Sequence, residues 1–99
     1  ALAVQEAGAF AVVLELVPTE IAAQVTKTLN IPTIGIGAGS ETDGQILVWT
    51  DFAGLAGGKP RKFVRQYAAL RETLLSAATE YAKDVREQSF PNAAESFED

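Results

Sequence analysis

The apolar positions of this chain follow two rhythms. Phe10-Ala11-Val12-Val13-Leu14 is an unbroken apolar run; Glu15 interrupts it and Leu16-Val17-Pro18 follow directly. A run without in/out alternation suits a strand of a parallel sheet covered on both faces. Ile31 to Gly39 reads as a second short strand, with Pro32 at its entrance and a glycine-rich loop at its end. Gln45-Ile46-Leu47-Val48-Trp49 reads as a third, after the turn chemistry of Ser40 to Gly44. The other rhythm is helical. Pro18 and Thr19 start a helix with Glu20 in its first turn, Ile21, Ala22, Val25 and Leu29 share one face, and Asn30 marks its end. Phe63, Val64, Tyr67, Leu70, Leu74, Ala78, Tyr81 and Val85 recur at steps of three and four, predicting a long amphipathic helix from Pro60 to about Gln88. Ala1 to Ala7 look like closing turns of a helix stopped by Gly8.

The order is therefore β-α-β-loop-β-α, which implies an α/β fold with a parallel sheet and right-handed crossovers. Three such units cannot close a barrel and leave a sheet edge unpaired. That incompleteness, together with a first helix that opens in mid-turn, predicts the C-terminal portion of a longer protein. The expected divisions are the end of a helix at 1–8, strands and loops at 9–59, a long terminal helix at 60–88, and a tail at 89–99. The tail is expected to be irregular and docked through Phe90 and Phe97.

Composition then narrows the chemistry. With 99 residues, 47% of them hydrophobic and 21% charged, the chain reads as at most one small globular domain. No apolar stretch is long enough to span a bilayer, and no signal segment opens the chain. A net charge of −5 argues against nucleic acid or an anionic membrane as partner. The absence of Cys and His removes thiolate nucleophiles, disulfides, and the commonest general base and metal ligand. Acid–base chemistry must run on Asp, Glu, Lys, Arg or Tyr. The expected compartment is the cytoplasm.

Four features could carry function. Glu15 sits among aliphatic neighbours at the end of a strand, where α/β folds place reactive groups. It reads either as a structurally paired or capping carboxylate or as a catalytic acid or base. Gly35-Ile36-Gly37-Ala38-Gly39 lacks both the spacing and the immediately following helix of a dinucleotide fingerprint. Its glycines permit close backbone approach or clear room for a substrate beside the strand end. Asp51 reads chiefly as a turn or cap residue. Lys59, Arg61, Lys62 and Arg65 form a basic cluster at the expected helix start, the wrong end to complement its dipole. They read as a solvated face or as a surface for an anion or acidic partner. Trp49, Tyr67 and Tyr81 are expected in the core or in subunit contacts.

Taken together, Val13-Leu14-Glu15-Leu16-Val17-Pro18, Ile31-Pro32-Thr33-Ile34-Gly35-Ile36-Gly37-Ala38-Gly39 and Asp43-Gly44-Gln45-Ile46-Leu47-Val48 resemble 3-methyl-2-oxobutanoate (ketopantoate) hydroxymethyltransferases. So do the long terminal helix and the Phe90-Pro91…Ser96-Phe97 tail. The resemblance covers essentially the whole chain but roughly the last third of a family member. It implies the last three β/α units of a (β/α)₈ TIM barrel of the phosphoenolpyruvate/pyruvate type, incomplete in this chain.

The resemblance also implies an activity: one-carbon transfer from 5,10-methylenetetrahydrofolate to 3-methyl-2-oxobutanoate, giving ketopantoate in pantothenate biosynthesis. In the family a Mg²⁺ chelates the keto acid and an enolate forms by loss of the proton α to the carbonyl. Glu15 matches the family's proton-abstracting carboxylate, with an apolar pocket expected to favour its role as base. Ile36, Ile46 and Val48 match positions lining the keto-acid pocket. The Mg²⁺ ligands fall outside this chain, so no metal ligand is assigned here. The implied partners are the N-terminal part of the same barrel and further copies in a homo-oligomer. One departure stands in the tail, where Asn92-Ala93-Ala94-Glu95 replaces the family's common Gly-Pro-Glu-His. Two alternatives accompany this reading: a non-catalytic barrel fragment that only associates with a companion chain, and another keto-acid lyase of the same superfamily.

Overall fold

In the computed structural model, which describes residues 1–98, three short parallel strands stand side by side in the order β1 (Val12–Glu15), β2 (Thr33–Ile36), β3 (Gly44–Gln45). Helix α1 (Leu2–Glu6) precedes them and α2 (Thr19–Thr28) makes the crossover from β1 to β2. The loop 37–43 joins β2 to β3 without a helix. A short α3 (Trp49–Phe52), a long α4 (Leu70–Arg86) and a 3₁₀ turn at Ala93–Glu95 complete the order.

The register decides which side chains meet. Val12 pairs with Thr33, Val13 with Ile34, Leu14 with Gly35 and Glu15 with Ile36. Alternation puts Val12, Leu14, Thr33 and Gly35 on one face and Val13, Glu15, Ile34 and Ile36 on the other. The first face carries the small core, in which Leu14, Ala22 and Ala38 are buried and Val12, Val17 and Val25 pack around them. The second face is open: Val13 is 53% exposed and Glu15 is exposed as well. Within the described residues, the continuous apolar run therefore gains one covered face rather than the two expected.

A buried hydroxyl organises the covered face. Thr33 is fully buried, and its Oγ1 lies 2.8 Å from Thr26 Oγ1 on α2 and 3.2 Å from Asp43 Oδ2. Thr26 Oγ1 is also 2.8 Å from the Ala22 carbonyl oxygen. Each hydroxyl has one proton, so the two threonines either relay toward Ala22 or relay toward Asp43. Either way α2, β2 and the turn before β3 are tied at one point. At the same end, Gln5 Oε1 accepts the Asn30 N–H at 2.6 Å and fastens α1 to the turn after α2.

Helix α1 stops as the sequence predicts. The Gly8 N–H donates to Gln5 and the Ala9 N–H to Val4, with Gly8 at φ +99°.

Two elements differ from expectation. The strand predicted over Gln45 to Trp49 shrinks to Gly44–Gln45, with one further ladder bond from Ile46 N–H to the Gly35 carbonyl. Strand β2 ends at Ile36, so the following residues have no ladder to join. The Val48 carbonyl instead accepts the Asp51 and Phe52 N–H groups and begins α3.

The helix predicted from Pro60 begins ten residues later, at Leu70. The donors of the strap between them are taken by other backbone: Tyr67 N–H bonds the Phe52 carbonyl at 2.7 Å and Leu70 N–H bonds Ala53 at 2.9 Å. Gly54 makes that approach possible. It lies at φ +69°, and a Cβ there would collide with the Ala68 carbonyl oxygen.

Beyond the strap, α4 buries none of its side chains, and the molecule measures 66 × 35 × 15 Å. The tail divides: Phe90 meets the Tyr81 ring edge-on at 5.5 Å, whereas Phe97 is 99% exposed and does not dock as expected.

Candidate functional site

All three strands run the same way, so their carboxyl ends share one rim. Glu15 closes β1 and lies beside Ile36, the last residue of β2. Gly35 pairs with Gln45, and alternation then brings Ile46 onto the face of Ile36. The rim thus reads Glu15, Ile36, Ile46 across adjacent strands roughly 4.8 Å apart. One carboxylate borders a branched aliphatic side chain, with a second one strand further on. Val48, the fourth expected site residue, sits off the strand, preceding α3 and 51% exposed.

The backbone beyond Glu15 is strained. Leu16 has φ +54°, in the left-handed region that bulky residues avoid, while its N–H donates to the Ile36 carbonyl at 3.0 Å. That bond and the turn after it fix the direction in which β1 ends, and so the position of Glu15.

The glycines of the β2 loop allow side chains to pack closely against the backbone. A Cβ on Gly35 would meet Thr42 Oγ1 at 2.7 Å, one on Gly37 would meet Leu16 and Phe63 at 3.0–3.2 Å, and one on Gly39 would meet Thr19 at 2.6 Å. Side chains thus stand close to all three, while Gly37 also borders open space on two sides of the loop and Gly39 on one. The loop is held further by Gln45, whose Nε2 donates to the Gly39 carbonyl at 2.7 Å and to Thr42 Oγ1 at 3.0 Å.

Open space begins next to the loop. A groove of about 500 Å³ is lined by Gln45, Ile46, Phe52, Phe63 and Tyr67. A second, of about 420 Å³, runs on the other side of Phe63 past Leu16, Pro18 and Lys62. Phe63 is the wall between them.

The sequence model of the ketopantoate hydroxymethyltransferase family matches residues 1–93. The chain belongs to that family. The 3-methyl-2-oxobutanoate hydroxymethyltransferase of Streptomyces coelicolor is 65% identical over 92% of this chain, and that of Paenarthrobacter aurescens 58% over 98%. The protein of the same name from Rhodococcus jostii is 57% identical over 98%. The chain spans about a third of the length of these relatives, 31%, 32% and 34% respectively.

The magnesium that the resemblance to hydroxymethyltransferases implies does not fit the residues of this chain. Among the described residues no group of three or more carboxylates comes together to hold a metal. Asp43 is engaged with Thr33 at the opposite end of the sheet from Glu15, and Asp51 lies in α3. No described helix is long and apolar enough to cross a membrane.

Three residues around the rim and its grooves escape the sequence reading: Leu16, Phe63 and Tyr67. Leu16 gives no signal, because its left-handed backbone is imposed by the chain's turn. Phe63 and Tyr67 are hidden by coincidence, since their spacing to Leu70 and Leu74 continues the helical rhythm. The Gly57-Gly58-Lys59-Pro60 sequence was the available hint that the chain was still turning.

Proposed function

We propose that this chain supplies the last three β/α units of a ketopantoate hydroxymethyltransferase barrel and, within it, the catalytic base. The observation that carries the reading is the rim: one carboxylate, Glu15, in register with Ile36, with Ile46 on the far side of Ile36, at the carboxyl ends of parallel strands. Catalytic groups of barrel enzymes occupy that end. The open sheet face and unpaired edges support further strands on either side.

In this proposal 3-methyl-2-oxobutanoate lies with its isopropyl end against Ile36, Ile46 and Val48. Glu15 takes the proton from C3, and the C3–H electron pair becomes the enolate. C3 then forms a carbon–carbon bond to the methylene carbon of 5,10-methylenetetrahydrofolate. Both bonds from that carbon to the folate nitrogens break, one as C3 attacks and the other as water supplies the hydroxyl. The two nitrogens take up the proton held by Glu15 and the second proton of the water, leaving ketopantoate and tetrahydrofolate. Aliphatic side chains around the reacting carbon exclude competing water and favour transfer of the proton to a carboxylate close by. Any magnesium is held by residues beyond those described, and the steps assigned to Glu15 use its own oxygens alone.

Glu15→Gln in the complete enzyme tests the assignment. Loss of proton transfer should lower kcat by at least about 10²-fold, while keto-acid affinity stays within a factor of about two. Near-normal turnover would remove Glu15 from the role of base.

A further inference from the structure

The rim leaves one feature without a task. Lys59, Arg61, Lys62 and Arg65 gather half of the eight basic residues of a chain whose net charge is −5. They lie on the strap between α3 and α4, which also supplies two aromatic walls, Phe63 and Tyr67, to the groove beside Ile46. Two of these cations, Lys62 and Arg65, stand beside its aromatic walls. The Arg65 guanidinium stands 6.0 Å from the centre of the Tyr67 ring, with Nη1 3.5 Å from its hydroxyl. Lys62 lines the groove on the far side of Phe63. Asp51 is the carboxylate near this strap, lying in a third depression with Lys59 and Arg61, away from Tyr67.

The groove suits a flat conjugated ring. Tyr67 is 69% exposed and Phe52 is 38% exposed, so both rings keep surface open to the groove. The volume of about 500 Å³ falls within the roughly 300–1,000 Å³ of small-molecule sites. Stacking on such rings is favourable and tolerant of the exact heterocycle. Exposed cations at the margin recognise carboxylates on whatever extends from the ring, and Arg can take one bidentately. Ring site and keto-acid site share Ile46, so a carbon carried at the ring's edge would meet the substrate there.

We propose that this groove seats the pteridine ring of 5,10-methylenetetrahydrofolate, and that Lys62 and Arg65 bind the carboxylates of its glutamate tail, favouring polyglutamylated forms. The inference rests on the reading under Proposed function and adds to it the residues that choose the co-substrate.

Calorimetric titration of the complete enzyme with tetrahydrofolate bearing one or three glutamates tests it. At low salt the triglutamate should bind about fivefold more tightly, the gain expected of one or two exposed ion pairs, and the preference should shrink as salt screens them. The double variant Lys62→Gln/Arg65→Gln should bring the ratio to about one and leave keto-acid affinity unchanged. Tyr67→Ala should weaken both forms about tenfold and Tyr67→Phe should restore them, since the ring face and not the hydroxyl is used. Equal affinity for both forms in the unaltered enzyme, a preference that survives the double variant, or full affinity in Tyr67→Ala would overturn the proposal. An enzyme that makes ketopantoate normally with any of those results loses only this inference. An enzyme that binds neither form and makes no ketopantoate refutes the underlying reading, and this inference with it.

Discussion

Asp43 Oδ2 accepts the backbone N–H of Thr33 at 2.8 Å, so a carboxylate at the start of β3 closes the first rung of β2. The Asp43 N–H returns the bond to Thr33 Oγ1 at 3.2 Å. Thr33 is fully buried, and without Asp43 its N–H has no water to turn to. Asp43→Ala should therefore destabilise the folded enzyme by about 1–3 kcal/mol, and Asp43→Asn, which keeps an acceptor oxygen, by less. Urea denaturation of the two variants checks the order. Equal stability of Asp43→Ala and the unaltered protein would remove this pair as a fastening.

Leu16 holds a left-handed backbone directly after the proposed base. Glycine there relieves about 1–2 kcal/mol of strain but loosens the direction of the strand end. Leu16→Gly should melt within a few degrees of the unaltered enzyme while kcat falls at least about tenfold through misplacement of Glu15. A fall in melting temperature with kcat intact would assign Leu16 to packing alone.

Gly54 admits the Ala68 carbonyl where a methyl group would stand. Gly54→Ala must move the strap or strain the turn at φ +69°, costing about 1–3 kcal/mol. The strap carries Phe63 and Tyr67, so folate affinity should fall together with stability. Thermal melting and titration on one sample should show both changes; a change in neither contradicts the role given to Gly54.

Helix α4 ends at Arg86, and two residues on Gln88 stands at φ +61°, with Gln88 N–H donating to the Val85 carbonyl and Ser89 N–H to the Asp84 carbonyl. This is the helix stop that glycine favours, occupied by a residue with a Cβ. Gln88→Gly should gain up to about 1 kcal/mol. A loss of stability on calorimetric melting would mean that the Gln88 side chain makes a contact outweighing its backbone strain.

The sequence reveals this fold best where local chemistry and tertiary structure agree. Pro18, Glu20 and the Ile21-to-Leu29 stripe announce α2, and Gly8 announces the end of α1. Glu15 stands out because a charge within an aliphatic run has few innocent explanations. Legibility fails where two uses share one pattern. Phe63, Val64 and Tyr67 extend the rhythm of α4 backward, yet their backbone is claimed by Phe52 and its neighbours. Val48 and Trp49 have strand character, but β2 is too short to offer them partners. Neither outcome can be read from spacing, because each depends on which distant backbone is within reach.

The single-residue step between Leu14 and Glu15 also separates two kinds of tolerance to substitution. Leu14 faces the core with Ala22 and Ala38; Glu15 faces away from it, beside Ile36. An altered rim can therefore be selected without reopening the core, while the Thr33–Asp43 fastening at the opposite strand ends keeps the register. Variation around the proposed base is thus expected at Val13, Ile36 and Ile46 rather than at Glu15 itself, leaving the even positions of β1 that face the core to drift only among residues of similar volume.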